Sequence, residues 1–317
     1  MQAGYDKVKF WIDRTIAGEQ YPSIVNNLDG AKQMTDIETG EVKIYGGLEG
    51  LKVSIYAGGL SVVGSMPKFL YGSNVYPLDI RATAQALEKL GDTLHIQVAD
   101  ANITEIEFGA NYLMSHPVID YLSRLGTMPR CERVQVSPHS IRYEGNGKKK
   151  PKPKVFAFYD KIADAEAEGM KCPDGIENLL RGEIRLCGRL PYQLSVPEVK
   201  ASTLTDVSFV RLIVEHYQKS YFSISKINQI KNDVMSEIKN VTDAFNVLVA
   251  RLISQTDQSQ IAGFLDELKQ AGVFADRKNY TRLKKKIEEV ATKANITISD
   301  DLIRELDDEI KNSVAYV

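Results

Sequence analysis

Three short stretches of this 317-residue chain hold the residues best suited to chemistry. In "TEIEFGAN", strand alternation turns Ile106 and Phe108 inward and leaves Glu105 and Glu107 together on the other face. In "KVFAFYDK", Phe156 and Phe158 go inward while Ala157 and Tyr159 point the other way. In "RGEIRL", Ile184 and Leu186 go inward while Arg181, Glu183 and Arg185 share the polar face. If these strands are neighbours, they gather two or three carboxylates, an arginine pair and a tyrosine. Oxygen ligands of this kind hold Mg²⁺ or Mn²⁺, and such a metal polarises a phosphate. A tyrosine hydroxyl beside them can attack phosphorus and form a covalent ester. Taken singly, each strand also fits the wet face of an antiparallel sheet.

Directly before the tyrosine strand lies "GNGKKKPKPK", too rich in glycine, lysine and proline to join a core. Lys148, Lys149, Lys150, Lys152 and Lys154 are expected to contact DNA phosphates from a hairpin tip. Pro151 and Pro153 would keep that tip extended and unpaired. The plainer alternative is a solvated loop.

In chain order, "ITEIEFGANY", "VFAFYDKIADAEAEG" and "NLLRGEIRLCGRLPYQL" resemble the replication initiators of filamentous phages, the gene II and gene X type, and their plasmid relatives. That family carries an acidic strand, an aromatic-Tyr-x-Lys strand and an Arg-x-Glu-x-Arg strand in this order. "SIYAGGLSVVGSMPKFLYGSNVYPL" is similar to the family's glycine- and Lys/Asn-containing region, so the likeness covers about Leu51 to Val199. The resemblance implies rolling-circle initiation: a site-specific nick in one DNA strand, a 5′-phosphotyrosyl intermediate and later rejoining. It implies Tyr159 as nucleophile and Lys161 as the group that steadies the phosphate. Glu107 and Glu183 would be metal ligands, with help from Glu105, and Arg181 or Arg185 charge partners for the DNA. Origin DNA, as single strand or supercoiled duplex, is the implied partner, in the cytoplasm of a bacterial host. No Gly-x-x-x-x-Gly-Lys-Ser/Thr pattern occurs, so a host helicase would unwind the duplex. Three departures stand out: Glu107 where aspartate is common, Gly182 where an aromatic is usual, and Asp160 directly after the tyrosine.

Other chemistry is readable too. "HIQ" would put His95 and Gln97 on one strand face, as in the metal clasp of other rolling-circle nucleases. His116, His139 and His216 are isolated. Two further readings are a non-catalytic DNA-binding regulator, supported by the basic helix of "DRKNYTRLKKKIEEV", and a metal-dependent nuclease that uses water.

The elements expected to position these residues divide at the texture change near Val199 to Thr205. Residues 1–204 read as an α+β domain of short strands and a few helices, the antiparallel nicking domain of the resemblance. Residues 205–317 read as an all-α domain. The chain is 43% hydrophobic and 26% charged with formal net charge −2, so a nucleic-acid surface must be local. Cys131, Cys172 and Cys187 are too scattered for a zinc knuckle and fit free thiols in a reducing compartment. The N-terminal stretch has charges among its apolar residues and does not read as a signal peptide. No apolar run is long enough to span a bilayer.

Overall fold

Residues 3–145, 151–167, 169, 175–231, 233–256, 258–293, 296–298 and 300–313 are described by a computed structural model. Ten strands make the main sheet: β1 (Ala3–Asp13), β2 (Asp29–Thr35), β3 (Val42–Leu48), β4 (Leu51–Tyr56), β5 (Gly59–Ser65), β6 (Asn102–Leu113), β7 (Cys131–Ser137), β8 (Ser140–Gly145), β9 (Lys154–Asp160) and β10 (Leu179–Cys187). A separate antiparallel pair, β11 (Gln229–Ile230) with β12 (Thr297–Ile298), lies in the region expected to be all-α and corrects that expectation. The ten strands β1 to β10 form one antiparallel sheet in the order β2-β3-β4-β5-β1-β6-β10-β9-β8-β7. A hairpin meander therefore lies on each side of a centre made by β1, β6 and β10. The three strands carrying Glu107, Glu183 and Tyr159 are consecutive, as the sequence reading required.

The helices are α1 (Arg14–Ala17), α2 (Met66–Tyr71), α3 (Ile80–Leu94), α4 (Val118–Arg124), α5 (Lys161–Ala167), α6 (Leu190–Leu194), α7 (Val207–Phe222), α8 (Val241–Gln255), α9 (Gln258–Gln270), α10 (Lys278–Ala291) and α11 (Asp301–Lys311). Among the described residues, no helix is long and apolar enough to cross a membrane. One face of the sheet is apolar. Phe10, Phe108, Phe156, Phe158 and Ile184 bury there under Leu90 of α3 and Tyr217 of α7.

The boundary expected at residue 204 does not separate two cores. Phe209, Ile213, Tyr217 and Tyr221 of α7, with Ile303, Leu306 and Ile310 of α11, belong to the same core as the sheet. The Tyr217 ring packs edge-on against Phe156 at 5.1 Å and Phe108 at 6.3 Å. A second, small cluster of Val234, Val247, Ala250 and Ile296 organises the lobe around α8 and α10. The helical tail is thus divided between completing the first core and building this lobe.

Gly182 illustrates how the core shapes the strands above it. A Cβ there would collide with the Tyr217 hydroxyl and meet Phe158 Cε1 at 2.9 Å. Glycine at the position where the resemblance expects an aromatic is what lets α7 pack this closely. The "HIQ" strand does not form. Helix α3 continues past Gly91 to Leu94, and His95 ends it in the left-handed region at φ 57°. His95 and Gln97 lie in a loop and line a different cavity from the one beside Tyr159.

Candidate functional site

The site is assembled where four central strands show their polar face. On β6, Glu107 opposes Arg185 of β10, and Gly109 opposes Glu183. On the other side of β10, Arg181 opposes Tyr159 and Glu183 opposes Ala157. Glycine at 109 is required by this closeness, because a Cβ there would stand 2.8 Å from the Glu183 Cβ.

Strand β1 supplies a third carboxylate, Asp6, that could hold a metal and that sequence reasoning missed. Tyr5 pairs with Phe108 and Val8 with Ile106, so Asp6 and Lys7 together face the single residue Glu107. Two residues opposite one is a β-bulge, which re-aims side chains. It turns Asp6 onto the polar face, where it is 4% exposed. Asp6, Glu107 and Glu183 place ligand oxygens within 4.8 Å of one another.

Arg181 holds this cluster together. Its Nη2 donates to Asp6 Oδ2 at 2.8 Å and its Nε to Glu183 Oε2 at 3.2 Å. Its Nη1 reaches Asn111 Oδ1 at 3.4 Å. Burial works against the cation, but Asp6 and Glu183 outweigh it and hold the pKa above the ordinary arginine value. Arg181 is fully buried, so its expected role as a direct DNA contact is corrected to that of an internal counter-charge.

Tyr159 donates its hydroxyl hydrogen to Glu183 Oε2 at 3.0 Å. Burial, reinforced by the Glu183 charge, keeps that hydroxyl protonated well above the usual tyrosine range. Glu107 is pushed up to about 8 by burial, then by the charges of Glu183 and Asp6. Among the described residues Glu107 is the one carboxylate whose pKa is raised.

The segment between α2 and α3 walls the site. Ser65 Oγ donates to Asp6 Oδ1 at 2.6 Å, and Asn74 Nδ2 reaches Asp6 Oδ2 at 3.4 Å. Asn111 Nδ2 donates to the Val75 carbonyl. Lys161 is buried at the start of α5, its Nζ 2.8 Å from Asp164 Oδ2, 3.5 Å from Asn74 Oδ1 and 5.9 Å from the Tyr159 ring centre. Asp160 stands outside the three-carboxylate cluster, and its Oδ1 accepts from the Ile162 and Ala163 N–H groups and caps α5.

Other expected residues fall elsewhere. Glu105 shares the face of Glu107 but is outside the three-carboxylate cluster, with Lys7 Nζ 3.0 Å away. Lys154 is not at a hairpin tip. It shares the inward phase of Phe156 and Phe158, and its Nζ donates to Ser220 Oγ of α7 at 2.8 Å. Burial lowers its pKa. Lys152 lies 4.0 Å from Glu144, and Lys148, Lys149 and Lys150 are outside the described residues. Arg185 does reach a groove of about 600 Å³ beside Tyr159, with Arg142, His139 and Asp160 also lining it.

The donor set fits a hard divalent cation. Three carboxylates against one guanidinium leave two negative charges when all are ionised, and every ligand atom is oxygen. No model of a known protein family matches the chain, and no curated protein is significantly similar to it.

Proposed function

We propose that the protein is a divalent-metal-dependent DNA-nicking and rejoining enzyme that works through a tyrosyl–DNA intermediate. The observation that carries this reading is the 3.0 Å hydrogen bond from Tyr159 to Glu183, a member of the three-carboxylate cluster. A nuclease that uses water needs the carboxylates but has no use for a phenol aimed at one of them. The resemblance to gene II-type initiators supplies the same nucleophile from a separate argument.

Asp6, Glu107 and Glu183 would hold Mg²⁺ or Mn²⁺, which when bound polarises a phosphate oxygen and neutralises developing charge. Tyr159 Oη attacks phosphorus as its proton passes along the existing hydrogen bond to Glu183. The bond from phosphorus to the 3′ oxygen breaks, and that oxygen leaves as a hydroxyl after taking up one proton. The 5′ phosphate stays on the tyrosine. Rejoining reverses these steps with a 3′ hydroxyl as attacker, so the phosphodiester energy is conserved and no ATP is needed. Arg181 keeps Asp6 and Glu183 in place, and Arg185 stands in the groove that receives the strand. The setting that fits this activity is the start of rolling-circle replication in a bacterial cytoplasm, with a host helicase as partner.

The test is direct. Protein, Mn²⁺ and a single strand bearing the origin are mixed and run on a denaturing gel. The wild type yields a covalent adduct and Tyr159→Phe does not; an adduct of undiminished yield from Tyr159→Phe removes the assignment.

A further inference from the structure

The polar face of the sheet continues past the acid cluster through β1, β5, β4, β3 and β2. Ser65, bonded to Asp6, shows that β5 presents Ser61, Val63 and Ser65 on the face of the site. In register with it, Trp11 pairs with Ser61, Ser61 with Ser54, Ser54 with Tyr45 and Tyr45 with Lys32. This is one row across five strands. The neighbouring row, on the side of the acid cluster, runs through Lys9, Val63, Lys52, Gly47 and Asp29.

The large side chains of this face touch in sequence. Trp11 lies 5.9 Å from Tyr56, and Lys43 Nζ stands 5.3 Å from the Tyr56 ring centre and 5.8 Å from that of Tyr45. Gly59 makes room for the indole, since a Cβ there would approach Trp11 Cζ2 to 3.1 Å. Tyr45 and Tyr56 remain 40% and 37% exposed. The carboxylates of this face lie at its ends: Glu105 pairs in register with Lys9 and stands 3.0 Å from Lys7 Nζ, Asp29 closes the Lys52 row at the outer strand β2, and Asp13 caps α1.

We propose that this strip binds the single-stranded DNA next to the scissile phosphate. A single strand offers unstacked base faces alternating with phosphates, and the strip offers aromatic faces alternating with ammonium groups. A duplex keeps its bases stacked inside and would meet only the lysines. Strand β1 carries both Asp6 and Trp11, about 16 Å apart at an extended rise, which a few nucleotides can bridge. The acid cluster is thus flanked by the lysine and aromatic strip on one side and by the Arg142 and Arg185 groove on the other. The choice of DNA rests on the nicking function above; the strip itself stands on its own geometry.

Trp11 is the chain's single tryptophan, so its emission reports on the strip. The full-length Tyr159→Phe protein in chelator, where no cleavage occurs, is titrated with oligo(dT), oligo(rU) and a duplex. The strip predicts saturable quenching by oligo(dT) and weaker binding of the duplex. Tyr45→Ala should weaken oligo(dT) binding about tenfold while Tyr45→Phe does not. Replacing both Lys43 and Lys52 by alanine should flatten the salt slope by about 1.4. Unchanged emission at saturating oligo(dT), unchanged affinity in folded Tyr45→Ala, or tighter binding of oligo(rU) would overturn the proposal. Adduct formation with these outcomes would leave nicking intact, and quenching without an adduct would sink nicking while sparing the strip.

Discussion

One oxygen of Glu183 takes two hydrogen bonds, from Tyr159 Oη at 3.0 Å and from Arg181 Nε at 3.2 Å. The same guanidinium reaches Asp6 on a strand two places away in the sheet. The phenol is therefore tied directly to the acid cluster through Glu183, and the buried cation ties Glu183 to Asp6. Removing that cation leaves two carboxylates without their counter-charge. Arg181→Met should cost about 3–5 kcal/mol of stability. Urea unfolding measures it, and Mn²⁺ should restore part of the loss by binding only the folded state. A cost below about 1 kcal/mol would mean the cluster does not depend on Arg181.

The pH dependence follows from Glu107, whose folded-state value is raised to about 8 from an ordinary 4.5. Between those values the folded state binds the extra proton. Metal-free stability contributed by this group is therefore full below about 4.5 and declines as pH rises toward about 8. Cation binding has the opposite trend, because the ligand must lose its proton first. Calorimetry of Mn²⁺ binding in buffers of differing ionisation heat should show close to one proton released near pH 6.5 and almost none above pH 9. No release at the lower pH would contradict the raised value of Glu107, showing its carboxylate already ionised there.

Gly109→Ala pushes a methyl group against Glu183, whose Cβ would be 2.8 Å away. The expected result is a loss of about 1–3 kcal/mol from overpacking, with weaker Mn²⁺ affinity as Glu183 is displaced. A Cβ added at Gly263 in α9 would meet nothing within 4 Å, so Gly263→Ala is the matched control. It should gain up to about 1 kcal/mol from helix propensity and keep metal affinity unchanged.

Lys154→Met separates the two accounts of the basic stretch. Because Lys154 Nζ donates to Ser220 on the core side, the substitution should leave single-strand affinity and its salt slope as they were. Anisotropy titrations across a range of salt suffice. A slope flattened by about 0.7 would return Lys154 to the phosphate-binding set.

Much of the site is legible in the sequence because a two-residue period needs only the order of side chains. Glu107, Glu183, Arg181, Arg185 and Tyr159 all lie on the faces that alternation assigns them. Lys154 obeys the same rule, but its place in a lysine run hides the fact that it shares the phase of Phe156 and Phe158. Asp6 requires reading a change of phase. Ala3 and Tyr5 turn inward, then Val8, Phe10 and Ile12 do, and that one-residue slip in "AGYDKVKFWID" marks the bulge. His95 escapes the sequence because Gly91 looks like the end of a helix that tertiary packing of Leu90 and Leu94 carries onward. Burial of Arg181 is beyond the sequence, since it depends on three strands distant in the chain meeting one guanidinium. The joining of α7 and α11 to the sheet's core is likewise a matter of packing; helical periodicity gives a buried face but not what covers it.

The central claim is that Tyr159 becomes joined to the 5′ side of a cleaved strand. It is tested most directly with an origin oligonucleotide carrying ³²P at the scissile phosphate. The protein is incubated with it and Mn²⁺, digested with protease, and the labelled peptide sequenced by mass spectrometry. The account predicts the label on the peptide containing Phe158, Tyr159 and Asp160, as a phosphotyrosyl nucleotide at Tyr159, with a free 3′ hydroxyl on the released fragment. Cleavage that leaves all label on free DNA, or label on a tyrosine other than Tyr159, would contradict it.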